Sequence, residues 1–273
     1  MVEKFSVLMS VYKNEKPDYL KATLKSLEKQ TLLADEYVIV CDGPLTAELD
    51  SVIDEFQQKH EAQTSVHRFS ENRGLGHSLA DGVKLAKHEW IARMDTDDIA
   101  VQNRFELQMN KIQKNVNLQI IGGQISEFED EPSNPISMRK VPITHQEILE
   151  FAKQRNPFNH MTVMYKKSAV LAAGNYLPLQ GYEDYYLWVR MLVNGAEAYN
   201  LENILVYARA GEDMFKRRGG LNYYRNSVKA YNTIYRVGLA TPKDWLVRNG
   251  GQLLVNLLPN DLRGKFYKKI LRK

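Results

Sequence analysis

The first hundred residues alternate short apolar runs with stretches of helical periodicity, and that alternation constrains the fold more than anything else in the chain. Phe5 to Val11 is an apolar run with β-branched members and predicts a strand. From Asp18 the pattern turns helical, with Leu20, Leu24 and Leu27 on one face and Pro17 where a helix can begin. Tyr37 to Cys41 predicts a buried strand that stops at Asp42-Gly43-Pro44. Glu48 to Lys59 predicts a helix, Ser65 to Phe69 a short strand, and Gly76 to Lys87 a helix with Leu79, Val83 and Ala86 inward. Trp90 to Met94 predicts the next strand, which runs straight into Asp95-Thr96-Asp97-Asp98. A repeating β-α series of this kind specifies an α/β fold on a mostly parallel sheet flanked by helices.

Beyond residue 100 the rhythm is less regular, which predicts that the second half covers the carboxyl edge of the sheet and does not continue the winding. Glu127 to Asn134, acidic and set among Pro132 and Pro135, predicts a loop, and the chain after about residue 220 predicts helix to its end. At 273 residues, with 44% hydrophobic and 26% charged side chains, the chain can bury a sizeable core. A net charge of +4, with no long Lys/Arg block before the last dozen residues, argues against nucleic acid as a partner. It fits an anionic small ligand or an anionic membrane surface. The single cysteine, Cys41, excludes an internal disulfide and a cysteine-based zinc site, so a reducing, cytoplasmic compartment is expected. The opening Met1 to Phe5 has no signal-peptide pattern and no stretch is apolar enough to span a bilayer, so any membrane contact is expected to be peripheral.

Asp95, Asp97 and Asp98 place three carboxylates in four positions directly after a hydrophobic strand. Like charges held close repel, and a divalent cation relieves them. Hard oxygen ligands suit Mg²⁺ or Mn²⁺, which take one or two protein carboxylates and fill the remaining positions with substrate phosphates and water. In open α/β sheets ligands bind outside the carboxyl ends of the strands, where this cluster and Asp42 both fall. Asp-rich tetrapeptides also form turns and helix caps, and Asp98 could cap a helix starting near Ile99.

Taken together, five segments resemble the family 2 glycosyltransferases. Phe5 to Glu15 resembles the family's first strand and nucleotide-binding turn, and Tyr37 to Gly43 its second strand with a uridine-contacting acid. Asn72-Arg73-Gly74-Leu75-Gly76 resembles the loop before its diphosphate helix, and Asp95-Thr96-Asp97-Asp98 its metal motif. Gly181-Tyr182-Glu183-Asp184, followed by Leu187-Trp188-Val189-Arg190, resembles its catalytic acidic motif. The resemblance implies a GT-A fold, a Rossmann-like mixed, mostly parallel sheet flanked by helices. It implies one domain over residues 1–220, with a nucleotide-binding half over about 1–100 and an acceptor half over about 101–220, and a helical C-terminal extension over 221–273.

The same resemblance implies donor-nucleotide contacts at Ser10, Val11, Tyr12, Glu15, Asp42, Arg73, Asp95 and Thr96, and metal ligands at Asp95 and Asp97. The family often has two adjacent acids where this chain has Cys41-Asp42, so only Asp42 can take the uracil or ribose contact, and Cys41 reads as a small buried apolar residue. Inverting transfer needs a base that takes the acceptor hydroxyl proton opposite the leaving diphosphate. By resemblance Asp184 is that base and Glu183 orients the acceptor or donor sugar. Both precede a helix whose apolar face includes Leu187, Met191 and Leu192, where the macrodipole favours ionised carboxylates whether or not they are catalytic.

His160, in Asn156 to Thr162, resembles an acceptor-side loop residue, although a lone histidine is also an ordinary structural residue. Arg190 reads either as a partner of the diphosphate or as a helix-surface ion pair. Arg209 and Lys216-Arg217-Arg218, flanked by Gly211 and Gly219-Gly220, read either as a lid over the phosphates or as a solvated basic loop.

Asp261 to Lys273 carries six basic side chains against one acid, with Leu262, Phe266 and Ile270 spaced for one helical face. That is the pattern of a basic amphipathic helix lying in an anionic membrane interface, or of an ordinary charged terminal helix. Peripheral attachment to the inner face of the cytoplasmic membrane fits the resemblance to bacterial enzymes that build O-antigen, capsule or exopolysaccharide units. That resemblance implies transfer of galactose or glucose from a UDP-sugar to a lipid-linked saccharide, an N-acetylhexosamine on undecaprenyl diphosphate. The Gln-x-x-Arg-Trp motif of the family's processive synthases is absent, which implies addition of a single sugar. The competing functions are a nucleotidyltransferase or pyrophosphorylase on a similar sheet, for which Ser10 to Glu15 lacks the expected glycines, and a non-catalytic sugar-nucleotide-binding protein, which is not expected to keep both acidic sets.

Overall fold

The computed structural model describes residues 3–210 and 221–257. The β-α series is present as β1 (Phe5–Val11), α1 (Pro17–Glu28), β2 (Glu36–Cys41), α2 (Ala47–Lys59), β3 (Thr64–Arg68), α3 (Leu75–Leu85) and β4 (Trp90–Arg93). These strands pair in parallel in the spatial order β3-β2-β1-β4, so the winding reverses direction at β1. The crevice outside the carboxyl ends of β1, β2 and β4 is therefore the place where this topology binds ligands.

The second half does more than cover the edge of the sheet. It contributes β5 (Ile99–Ala100), α4 (Arg104–Lys114), β6 (Leu118–Phe128), β7 (Pro135–Arg139), α5 (His145–Ala152), β8 (Met164–Lys166), α6 (Lys167–Ala172), α7 (Glu183–Val193) and β9 (Glu197–Arg209). Here β8 pairs antiparallel with β4 and β6, β9 runs parallel to β6, and the whole makes one mixed sheet of nine strands among the described residues. The loop expected over Glu127 to Asn134 is only its middle. Glu127 and Phe128 finish β6, and Pro135 opens β7, which returns antiparallel along β6. Asp98 caps no helix, because Ile99–Ala100 pairs with β9 and the next helix starts at Arg104. Two helices, α8 (Leu221–Tyr235) and α9 (Pro242–Leu257), follow.

The two faces of the sheet carry separate cores. Val7, Met9, Ile39, Trp90 and Ala92 pack under α1, α2 and α4, whereas Leu8, Val38, Val40 and Ile91 pack under α3, α5 and α7. Every residue of β2 is buried, which is why Tyr37 to Cys41 reads as an unbroken apolar run. Close approach of α3 to the sheet needs Gly82, since a Cβ there would lie 2.3 Å from Leu8 Cδ1. Cys41 is buried on the opposite face, in the core under α1, α2 and α4, and burial pushes its thiol up to about 11.

Candidate functional site

A cleft opens at the carboxyl ends of β1, β2 and β4, lined among others by Ser10, Tyr12, Glu15, Asp42, Asp95, Thr96 and Asp97. Val11 is not in this lining: its side chain is fully buried and its carbonyl accepts the Asp42 N–H at 2.8 Å. Asn14, Lys16, Tyr19, Asn72, Gly74 and Leu75 also line the cleft.

Asp42 organises one wall. Its Oδ1 accepts the Arg73 backbone N–H at 2.9 Å, its Oδ2 accepts the Gly74 N–H at 3.0 Å, and its carbonyl accepts the Asn72 side-chain amide at 3.1 Å. The loop before α3 thus hangs on the acid that ends β2. Gly43 lets the two segments meet: its φ is +87°, and a Cβ there would lie 2.7 Å from the Asn72 backbone nitrogen. The Arg73 side chain does not meet the cleft as expected. Its guanidinium pairs with Asp81 at 2.7 Å and stacks 3.9 Å over the Phe69 ring, so its contribution to this wall is its main-chain N–H.

The opposite wall is the loop after β4. Asp95, Asp97 and Asp98 each offer a carboxylate oxygen within 4.8 Å of the others. Partial burial, reinforced by the charges of Asp95 and Glu15, pushes Asp97 up to about 7. Burial also raises Asp98, whose Oδ1 accepts the Arg209 N–H at 2.8 Å and whose buried Oδ2 has no partner among the described residues. The loop is braced from beneath: the Thr23 hydroxyl of α1 lies 2.9 Å from the Thr96 carbonyl and 2.7 Å from that of Asp98, and Thr96 donates to Glu15 at 2.5 Å. Arg93, 2% exposed, forms an ion pair with Asp95. A hard divalent cation fits this donor set, which is all carboxylate oxygen and holds more negative charge than Arg93 balances.

Arg209 ends β9 beside this cluster. Its guanidinium lies 3.8 Å over Tyr19 and 4.6 Å over Phe128 and donates to the Asp97 and Glu129 carbonyls. The segment Lys216-Arg217-Arg218 and its flanking glycines lie outside the described residues.

Glu183 and Asp184 occupy the first turn of α7. A Cβ on Gly76 would sit 3.5 Å from Glu183 Cβ, so the start of α3, whose Gly74 and Leu75 line the cleft, directly abuts the acidic pair. Burial raises both carboxyls from their ordinary values. Asp184 Oδ1 accepts the Tyr185 N–H at 2.7 Å and its Oδ2 accepts the Asn156 side-chain amide at 2.6 Å. Asn156 was invisible as a site residue in the sequence because its partner lies 28 positions on, and the one signal was its place in the Asn-Pro-Phe-Asn-His loop.

His160 and Arg190 are engaged with protein groups. His160 opens a short 3₁₀ turn (His160–Thr162), and its ring bonds the Tyr176 hydroxyl at 3.0 Å and packs edge-on against Trp188; like Glu183 and Asp184 it is not in the lining of the cleft. Burial holds it well below the ordinary histidine value. Arg190 is turned away from the cleft: it donates to the Ala173, Asn175 and Tyr186 carbonyls and stacks on Tyr186, which fixes the loop where Gly174 and Asn175 take positive φ.

Residues 6–172 match the Glycosyl transferase family 2 model. Over 99% of its length the chain is 42% identical to the whole of an uncharacterized glycosyltransferase of Haemophilus influenzae. It is 36% identical, over 99% of this chain and 97% of the relative, to an Escherichia coli protein described as UDP-Gal:alpha-D-GlcNAc-diphosphoundecaprenol beta-1,3-galactosyltransferase. Among solved structures, the mannosyltransferase PcManGT from Pyrobaculum calidifontis, in complex with GDP-Man and Mn²⁺, superposes with a TM-score of 0.69 at 15% identity, covering 96% of this chain and 72% of that one.

Proposed function

The chain belongs to glycosyl transferase family 2 and is a glycosyltransferase with the GT-A fold, and from that premise we propose that it transfers a hexose, galactose or glucose, from a UDP-sugar to a lipid-linked saccharide with inversion at the anomeric carbon. One observation carries the reading: Asp95 and Asp97 line the crevice at the end of β4, and α3, which starts at that crevice with Leu75, abuts the Glu183-Asp184 turn of α7 at Gly76. The choice of uridine, of galactose and of an N-acetylhexosamine on undecaprenyl diphosphate follows the description of the Escherichia coli relative.

Asp95 and Asp97 would hold Mn²⁺ or Mg²⁺, and the similarly folded mannosyltransferase is in complex with Mn²⁺. A bound cation supplies charge neutralisation for the leaving diphosphate. The protein's own groups do the rest. Ser10, Tyr12, Glu15 and Thr96 bind the nucleotide side of the donor, and Asp42 holds the 72–74 loop against it. Asp184 takes the acceptor hydroxyl proton. Burial keeps its carboxylate more basic than an exposed aspartate, which brings the base closer to working pH, and Asn156 orients it. Glu183 positions the sugar at the α3 end of the crevice.

Peripheral contact with the membrane completes the reading. No helix among the described residues is long and apolar enough to cross a bilayer. α9 exposes Leu246, Val247 and Leu254, and the sequence after it is the basic stretch 261–273, which lies outside the described residues.

The test is a donor panel with Mn²⁺ and a short-chain N-acetylhexosamine diphospholipid, followed by the anomeric coupling of the product. UDP release from UDP-galactose or UDP-glucose with a β-linked product is expected. Turnover of GDP-mannose alone, or an α-linked product, contradicts the proposal.

A further inference from the structure

The N-terminus of α7 carries the acidic pair, and its local support is the bond from the Tyr185 N–H to Asp184 Oδ1 and not an N-cap side chain. Its N-cap, Tyr182, makes no side-chain capping bond, and Gly181 before it has φ +74° with open space around it. Uncapped first turns fray, and here the first turn is Glu183-Asp184. The apolar face of α7, including Leu187, Trp188 and Met191, fixes the body of the helix but not its first residues.

What stands in place of a cap comes from the C-terminal helices, beyond the residues matched by the family model. The Tyr182 hydroxyl donates to Ser227 Oγ of α8 at 2.9 Å, and Ser227, 1% exposed, also accepts from Arg248 Nη2 of α9 at 2.7 Å. Arg248 in turn stacks 4.5 Å over Tyr231. The second support of Asp184 is held by the same pair of helices. Tyr231 donates to the Lys153 carbonyl and Asp244 accepts from Gln154 at 2.8 Å, which pins the segment leading to Asn156. Both arms that orient Asp184 therefore reach α8 and α9, and Asn156 is held besides by Arg139 and by the Phe158 N–H.

We infer that α8 and α9 form a positioning clamp for the catalytic turn, acting through Tyr182, Ser227 and Arg248. The inference rests on Asp184 being the base. Tyr182, Ser227 and Arg248 are positioning residues: their work is to hold the first turn of α7 in register with Asn156, and its loss misplaces the base without disturbing the donor cleft.

Tyr182→Phe removes one hydroxyl, and Arg248→Met removes the charge that fixes Ser227. Each is made in the parent and in Asp184→Asn, with turnover, donor KM and unfolding temperature measured. In the parent, Tyr182→Phe should lower turnover about fivefold to tenfold, the scale of one hydrogen bond, with donor KM and unfolding temperature retained. Arg248→Met should do the same, and the double variant should fall no further than the worse single one. In Asp184→Asn neither change should lower the residual turnover. Parental turnover in Tyr182→Phe, or losses that persist in full in Asp184→Asn, overturns the clamp alone. Parental turnover in Asp184→Asn by itself overturns the base assignment and the clamp with it.

Discussion

The side-chain amide of Asn156 donates to Oδ2 of Asp184 at 2.6 Å, joining the loop after α5 to the first turn of α7. A donor to a carboxylate favours its ionised form, so this bond opposes the upward push of burial on Asp184. Asn156→Ala should therefore raise the Asp184 pKa further and move the acid limb of the pH–turnover profile to higher pH, with turnover below neutrality falling about tenfold. The charges facing the carboxyl, Arg139 and Arg93, are unchanged by the substitution. An acid limb that stays in place would remove Asn156 from the site.

Asp184→Asn should leave UDP-sugar affinity nearly intact and lower turnover about a hundredfold or more, the scale of a lost general base. It should also stabilise the fold at alkaline pH. Because the folded-state pKa lies above the unfolded one, Asp184 favours the folded state at low pH, and that contribution is lost as pH rises through the raised value. The amide carries no such dependence. Unfolding temperatures of the two proteins should diverge from acid to alkaline pH, the variant being the more stable above neutrality. Curves that stay parallel would contradict the burial argument.

Asp42→Ala should strip the Arg73 and Gly74 N–H groups of their acceptor and free the 72–74 loop. The expected cost is about 1–2 kcal/mol of stability, since water can reach part of the loop, together with weaker UDP binding. Asp42→Asn, which keeps one acceptor oxygen, should lose less on both counts. Denaturant titration and UDP calorimetry check the pair, and equal behaviour of the two variants would contradict the loop-holding role.

Much of this was legible before any coordinates. The strands β1, β2 and β4 follow from their apolar runs because each is central and buried, and Leu20, Leu24 and Leu27 do face the core from α1. The missed pieces are those fixed by tertiary partners. β7 is exposed and begins at a proline, so it carries no apolar signature and exists by pairing with β6. β5 is two residues long and exists by pairing with β9, which turned an expected cap at Asp98 into a strand entry. Within the site, the positions of the acids could be read, but not what their neighbours do. Arg190 and Arg73 end on loop carbonyls and on Asp81, and Asn156 on Asp184, and local spacing encodes none of these contacts.

Deleting the segment after Asn260 should weaken transfer to a lipid-linked acceptor in anionic vesicles while sparing a short-chain soluble analogue. Each of its six basic residues contributes on the order of 1 kcal/mol near an anionic surface, which high salt screens. Truncated protein that still sediments with anionic vesicles at low salt would contradict membrane contact through this segment.

Calorimetry of UDP binding to the parent and to Asp97→Ala, with and without Mn²⁺, tests the central claim most directly. Asp97 sits with Asp95 where the diphosphate of a UDP-sugar would meet a divalent cation. Mn²⁺ should tighten UDP binding to the parent by at least tenfold and leave the weak binding of Asp97→Ala unchanged. Equal enhancement by Mn²⁺ in both proteins, or none in the parent, would contradict the account.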